Sequence, residues 1–473
     1  MNGLSQKRYL ELPLPTEDDP RSDQQRILDS LAVAGVEERV HIPVHILRQL
    51  YPLLDNAKWK ITVSLAWNGE NWEMVEIEEG DTTAQHYGLA VDLGSTTVVA
   101  RLLDCNSGEI LKEVSSFNKQ IQWGTDILSR IFYCKDNREK LEEVRRATVE
   151  SICECMDKLD ASHSALSMVI AGNTTMIHFL LGMDAFCVFY TPHAVHADRP
   201  GFQLARDLDI PLKGYVYCYP AKSNYLGGDI ISGMIDTELY KKNEISVFFD
   251  IGTNGELVIG NKEFLLCGAG AAGPALEGGV VRTGMRAEAG AVDEVKIRDG
   301  NIYVHVIGSH KEDSGSHEKN SGNHEDNSSG EEPQGICGSG IIDLIAELFL
   351  EGWIDIRGKF STEKSPLIQE RDNQLCVEYA PGLYFYQKDI DEFIRTKSAA
   401  HTMVEIMLRE SGLDLNQADR FYVAGAFGKH VSKESAITIG MYPDMDRDHI
   451  INAGNSSLEG AQKLLLNRSL LTD

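Results

Sequence analysis

Two aspartates in this chain end apolar runs in the same way. In "VFFDIGTNGELVIG", Asp250 closes the run that starts at Val247. Gly252, Thr253, Asn254 and Gly255 follow before the chain turns apolar again at Leu257. In "GLAVDLGSTTVVARLLD", Asp92 is followed by Gly94, Ser95, Thr96 and Thr97, then by a β-branched run from Val98. Glycine lets a backbone approach an anion closely, and successive N–H groups with a Ser/Thr hydroxyl can bind phosphate oxygens. A carboxylate repels phosphate but can hold Mg²⁺ through its waters, because that ion accepts one or two carboxylates and keeps most of its hydration. Asp92 and Asp250 are therefore candidate metal-organising acids, and the residues after each are candidate phosphate ligands. A Walker-type loop leads into a helix. Here the second limbs "TVVARLL" and "ELVI" are strand-like, so each loop is expected to turn a hairpin.

Two more glycine-rich stretches could complete a nucleotide site. "RFYVAGAFGKHV" runs from a strand into Gly425, Ala426, Phe427 and Gly428, small residues that let a flat ring or ribose lie against backbone. "GICGSGIIDLIAELFLEGWID" puts Gly338, Ser339 and Gly340 at the mouth of an apolar helix, where N–H groups and the helix dipole favour anions. Either stretch alone also reads as a tight turn. Asp126 in "QWGTDILSR" and Asp229 in "YLGGDIISG" are candidate bases for an attacking water. Each also sits where a helix N-cap belongs. "GAGAAG", Gly268 to Gly273, matches a dinucleotide fingerprint, but Gly278-Gly279 would end the required helix within about a turn and a half. A lobe-forming turn is the better reading. Arg282 and Arg286 beyond it read as surface ion-pair formers that could also face phosphate or a partner.

These residues need strands to carry them. Strand-like runs occur at 88–93, 97–103, 167–171, 245–250, 256–259, 302–307 and 420–424; amphipathic helices are predicted at 124–134, 139–159, 340–352, 388–411 and 457–467. Their alternation predicts an α/β fold with helices on the faces of the sheets. Residues 1–35 read as a polar N-terminal linker segment, helical across "RSDQQRILDSL". Residues 36–86 read as a small α+β domain whose two tryptophan-bearing strands flank a hairpin-like turn at Asn68-Gly69-Glu70-Asn71. The rest divides into lobes at 87–244 and 245–473. "SHKEDSG", "SHEKNSG" and "NHEDNSSG" repeat a seven-residue unit with no apolar position, which excludes a coiled coil and predicts a disordered insert over 309–334. His310, His317 and His324 recur in that repeat and could meet at a metal only if the segment curled.

The chain has 473 residues, 42% hydrophobic, with a net charge of −27. That field would repel nucleic acid and anionic membrane surfaces, so neither is expected as a partner. No apolar run approaches the ~20 residues of a membrane span. The N-terminus lacks an apolar signal-peptide core, and a cytoplasmic location is expected. Nine scattered cysteines read as reduced thiols. Cys153 and Cys155 point apart on a predicted helix, and no spacing suits an iron–sulfur cluster, so none is expected on this chain.

Taken together, these motifs resemble the actin and sugar-kinase ATPase superfamily. The resemblance implies a two-lobed actin-like (ribonuclease H-like) core binding ATP and Mg²⁺. Asp92–Thr97 would be its first phosphate loop, Asp250–Gly255 its second and Val423–Gly428 its adenosine motif. The helices after Gly124 and Gly340 would be its two connecting helices. "YLELPLPTEDDPRSD", "AGNTTMIHFLLG", "AGPALEGGVVRTGMRAEAGAVDEV", "ICGSGIIDL" and "AGAFG", spread from about Tyr9 to Gly460, narrow the resemblance to the reductive activators of corrinoid proteins. Members of that family return cob(II)alamin to cob(I)alamin in methyltransferase systems, coupling ATP hydrolysis to uphill electron transfer. They usually carry an iron–sulfur domain at one end. This sequence begins where their linker begins, and neither end supplies cluster cysteines. Either a separate electron donor on another chain serves it, or the chain keeps ATP-driven conformational work without redox chemistry.

The resemblance also implies a corrinoid protein or corrinoid-dependent methyltransferase as partner, leaves a homodimer open, and tilts the choice of base towards Asp126. A small-molecule kinase of the same fold and a nucleotide-responsive binding module are the alternatives.

Overall fold

The computed structural model describes residues 2–124, 126–161, 164–252, 255–270, 281–308, 332–414, 417–425 and 431–472. The chain forms two compact units, Met1–Glu238 with Ser456–Asp473, and Leu239–Asn455.

The first unit opens with β1 (Ser5–Glu11), α1 (Asp23–Val33), β2 (Val40–His41), α2 (Val44–Leu47), α3 (Leu50–Asn56), β3 (Lys60–Trp67) and β4 (Trp72–Glu79). Their sheet has the order β1-β3-β4-β2. The predicted hairpin joins β3 to β4, with Asn68 Oδ1 accepting from the amides of Glu70 and Asn71. Tyr51 precedes a proline, which disfavours helical backbone there, and its extended conformation breaks the helical run within α3.

Within the first 35 residues the expected helix forms as α1, and an unexpected strand, β1, precedes it; their Leu10, Ile27 and Leu31 enter the small domain's core. The strand escaped pattern reading because its buried face is polar. Lys7 is buried against Glu78 at 2.6 Å, and Ser5 Oγ bonds His86 Nε2 at 2.8 Å.

The same unit continues through β5 (Tyr87–Leu93), β6 (Thr97–Asp104), β7 (Ile110–Phe117), α4 (Ile127–Cys134), α5 (Arg138–Lys158), β8 (Ala165–Gly172), α6 (Thr174–Leu180), α7 (Phe186–Phe189), β9 (Gly201–Leu204), β10 (Tyr215–Cys218) and α8 (Gly228–Thr237). The six strands form a sheet of order β7-β6-β5-β8-β10-β9.

The second unit holds β11 (Ser246–Ile251), β12 (Gly255–Gly260), β13 (Leu265–Gly270), β14 (Ala291–Arg298), β15 (Asn301–Val306), β16 (Gly335–Ile336), α9 (Gly338–Leu350), β17 (Ile368–Arg371), β18 (Gln374–Ala380), β19 (Leu383–Tyr386), α10 (Gln387–Ser411), β20 (Arg420–Ala424), α11 (Lys433–Thr438) and β21 (Ile450–Gly454). Its main sheet runs β13-β12-β11-β20-β21.

The two main sheets repeat one topology. In each, two antiparallel strands meander outward from a central strand, which pairs in parallel with a later one on its other side. β5 and β11 are the central strands, buried along most of their length by core on both faces. Both predicted hairpins form, β5 to β6 and β11 to β12.

Gly268 and Gly270 lie within β13, beside Met407 and Met403 of α10, so the fingerprint-like glycines occupy a strand. Arg282 pairs with Asp372 at 3.0 Å. Of the insert predicted at 309–334, residues 309–331, which hold its three histidines, lie outside the described set; at its end the Gln334 amide donates to Gly290 O at 2.8 Å. No cysteine forms a disulfide among the described residues. No helix among the described residues is long and apolar enough to cross a membrane.

The last helix, α12 (Ser456–Leu466), departs from the expected second lobe of 245–473 and belongs to the first unit. Small residues bring it against α8: a Cβ on Gly460 would lie 1.9 Å from Ser232 O, and Tyr219 donates its hydroxyl to Gly460 O at 2.9 Å. Arg101 Nη1 donates to Glu459 Oε1 at 2.9 Å from the other side.

His86, 4% exposed, bonds Ser5 and Asn106, and burial holds its imidazole down at about 4. The unfolded chain takes up this proton near pH 6.5 while the native state refuses it until about pH 4. Stability from this group is complete above pH 6.5 and falls as pH drops towards 4, by on the order of 2 kcal/mol. Urea titrations of wild type and His86→Gln at pH 7 and pH 4.5 should therefore show a smaller acid penalty in the variant.

Candidate functional site

In the first unit, Asp92 is the penultimate residue of β5, opposite Ala171 of β8. The next residue of β8, Gly172, comes so close that a Cβ would stand 2.9 Å from Leu93 O. In the second unit, Asp250 is the penultimate residue of β11, opposite Ala424 of β20. The glycine that follows, Gly425, has φ +92°, and a Cβ there would meet Ile251 O at 2.4 Å and Asp250 Oδ1 at 2.9 Å. The acid, the parallel neighbour and the small residue after it thus recur in the same register. Gly425 leaves room beside the Asp250 carboxylate that any side chain would fill, and Gly172 lets β8 close on the end of β5.

The first loop has further detail. A Cβ on Gly94 would lie 2.4 Å from Thr97 O, so only glycine lets the turn close this tightly. Asn118 Nδ2 donates to Gly94 O at 2.9 Å, and Asn118 N to Thr96 O at 2.9 Å. Ser457, in the first turn of α12, donates its hydroxyl to Asp92 Oδ1 at 2.9 Å. Asp229 stands in the first turn of α8, whose Gly227 packs on the backbone of Asn173 and Thr174 just past β8. Burial pushes its carboxyl up to about 7, with the Asp92 charge adding to the shift and the Ile230 amide opposing it. Asp92, Asp229 and Ser457 therefore form one constellation at the end of β5.

Asp126 is placed differently. It caps α4, with Oδ1 accepting from Ser129 N at 2.8 Å and Oδ2 from Ser129 Oγ at 2.5 Å. These bonds hold its carboxyl below the ordinary value. Both oxygens accept from Ser129, as those of a helix cap do. Gly338, Ser339 and Gly340 form the first turn of α9, where Gly340 lies against Val292 O of β14. Gly252 ends, and Gly255 begins, the described parts of the second loop. Thr253, Asn254, Ala426, Phe427 and Gly428 lie outside the described residues. Ser457 and Asn118 were not singled out in the sequence. Each is a small polar residue far along the chain from the acid or loop it serves, and neither spacing nor periodicity marks it.

The donor set suits Mg²⁺. Asp92 and Asp229 offer hard carboxylate oxygens, and no group of three or more His, Cys, Asp or Glu capable of holding an ion occurs among the described residues. Mg²⁺ needs no such protein cage, because it binds through one or two carboxylates, waters and substrate phosphates.

Family models match the chain along its length: the RACo linker region at 1–84, the RACo middle region at 87–242, and the C-terminal domain of RACo, the ASKHA domain, at 244–473. Among solved structures, a reductive activator for a corrinoid, iron–sulfur protein is 34% identical, with a TM-score of 0.87, over 100% of this chain and 74% of that one. The corrinoid activation enzyme RamQ of Eubacterium limosum is 30% identical over 81% of this chain. The [Co(II) methylated amine-specific corrinoid protein] reductase of Methanosarcina barkeri is 25% identical over 82% of it. The chain spans 64% and 71% of the length of those two relatives.

Proposed function

The chain belongs to the RACo family of reductive activators of corrinoid proteins, and from that membership we propose that it hydrolyses Mg-ATP to drive reduction of a Co(II) corrinoid protein to Co(I). The observation that carries the ATPase reading is the duplicated strand end: Asp92 and Asp250 in equal register, each followed by a glycine-bearing loop. Asp92 and Asp250 would hold Mg²⁺, which supplies charge neutralisation at the phosphates when bound. Gly94–Thr97 and Gly252–Gly255 would bind phosphate oxygens, and Gly425–Gly428 the nucleoside. Gly338–Gly340 would add helix-end amides.

Asp229 is the acid we assign to orienting the attacking water, in place of Asp126. It faces the same strand end as Asp92, whereas Asp126 is occupied by Ser129. No strong base is required, because phosphoryl transfer depends chiefly on positioning and electrostatics. Hydrolysis would then move the two units, and that movement would lift a one-electron transfer that is otherwise uphill. A separate electron donor is part of this proposal. The names of the relatives, a corrinoid activation enzyme and a Co(II) corrinoid protein reductase, support the choice of partner.

The test of turnover is product analysis after incubation with ATP and Mg²⁺. Free phosphate with one ADP per phosphate is expected. A phosphorylated small molecule in place of phosphate would make the chain a kinase, and bound, unhydrolysed ATP would make it a binding module.

A further inference from the structure

Arg130 lies in α4 and is completely buried. Its Nη1 donates to Ser95 O at 2.6 Å and to Gln120 Oε1 at 3.1 Å, and its Nε to Gly124 O at 3.0 Å. Its Nη2 is buried without a hydrogen-bond partner, and Arg130 makes no ion pair among the described residues. Burial lowers its guanidinium to about 10, which leaves it charged at neutral pH. The charge of nearby Asp126 partly offsets that burial, but no carboxylate oxygen bonds the guanidinium among the described residues, so an arriving anion is still favoured.

The loop beside it is bound from one side only. The carbonyls of Gly94, Ser95 and Thr96 are taken in turn by Asn118 Nδ2, Arg130 Nη1 and Asn118 N. The amides of Ser95 and Thr96 make no hydrogen bond among the described residues. Consecutive carbonyls held back in this way leave consecutive N–H groups to form an anion-binding nest.

We propose that Arg130 is a positioning residue of the first phosphate loop: it fixes the Ser95 carbonyl so that the loop amides face the nucleotide phosphates, and its unpaired charge is balanced when those phosphates arrive. The assignment rests on reading Gly94–Thr97 as a phosphate loop. Arg130 acts through the loop backbone and touches no substrate atom.

The test compares full-length wild type, Arg130→Met and Arg130→Lys by calorimetric binding of Mg-ATP and of AMP, with kcat and KM for ATP measured alongside. Arg130→Met should weaken Mg-ATP binding about tenfold or more and raise KM in step, with AMP affinity little changed. Arg130→Lys restores the charge without the planar fork and should recover part of the loss. Equal losses for Mg-ATP and AMP would mean a merely structural role and overturn the assignment, as would Mg-ATP affinity within about twofold of wild type in folded Arg130→Met. If Arg130→Met fails to fold, Arg130→Lys decides: a selective loss of Mg-ATP affinity supports the proposal, and unchanged affinity overturns it. If wild type itself does not prefer Mg-ATP over AMP, the phosphate-loop reading falls, and this assignment falls with it.

Discussion

Asp92→Asn should lower ATP turnover by roughly 100-fold or more while leaving the chain folded, with an unchanged urea midpoint. The amide oxygen can still accept the Ser457 hydroxyl that Asp92 Oδ1 accepts now, so packing at the end of β5 survives the change. What is lost is the negative charge that we assign to Mg²⁺. Asp250→Asn should behave the same way, because it occupies the same register position in the second main sheet. Asp126→Asn is the contrasting case. Its carboxylate serves Ser129, and Asn is an equally good N-cap, so turnover should stay within a few-fold of wild type. Measuring phosphate release for all three separates the assigned acids from the capping one. A turnover ranking with Asp126→Asn at the bottom would reverse the assignment.

Gly460→Val should be the most damaging substitution away from the acids. A Cβ at this position would lie 1.9 Å from Ser232 O and 2.5 Å from its carbonyl carbon, both backbone atoms that no rotamer change can move. Overpacking of this kind costs about 1–3 kcal/mol and often more when the backbone must shift. The consequence reaches the site, because α12 carries Ser457 at its first turn and α8 carries Asp229 at its own. Ser232 Oγ also donates to Ser457 O at 2.6 Å, so the crossing sets where both helix starts stand. Thermal unfolding should show a midpoint several degrees lower, and the fraction that remains folded should hydrolyse ATP more slowly than wild type. A variant with a lowered midpoint and full turnover would show that the crossing does not position the acids.

The parts of this architecture that could be read in the sequence are those governed by local contrast. The central strands Tyr87–Leu93 and Ser246–Ile251 are apolar runs cut off by an acid, and the two hairpins follow from the β-branched residues after each loop. Other elements hide because their burial is not apolar or their length is short. β1 turns Ser5 and Lys7 inward, so its alternation carries no hydrophobic signal. β7 is an edge strand, exposed along most of its length, and "ILKEVSSF" lacks the periodicity of a half-buried strand. β9 and β10 have four residues each, too few for a pattern to stand out.

The candidate site divides in the same way. Asp92, Asp250 and their glycines are visible as a motif, whereas Arg130 looks like any exposed arginine of an amphipathic helix until the fold buries it. Asp126 and Asp229 look equivalent as acids after a glycine. Only tertiary structure separates them, one bound to Ser129 and the other brought beside Asp92. α12 shows the same limit at the level of domains. The chain leaves β21 of the second unit at Gly454 and, from Ser456, packs into the first, a crossover that no local feature announces.

The most direct measurement of the central claim is the cobalt spectrum of a corrinoid protein mixed with this chain and a one-electron reductant, followed with and without Mg-ATP. The account predicts that the Co(I) absorption appears only with Mg-ATP and wild-type protein, and fails with Asp92→Asn. Co(I) formed equally well without ATP, or by Asp92→Asn at the wild-type rate, would contradict it.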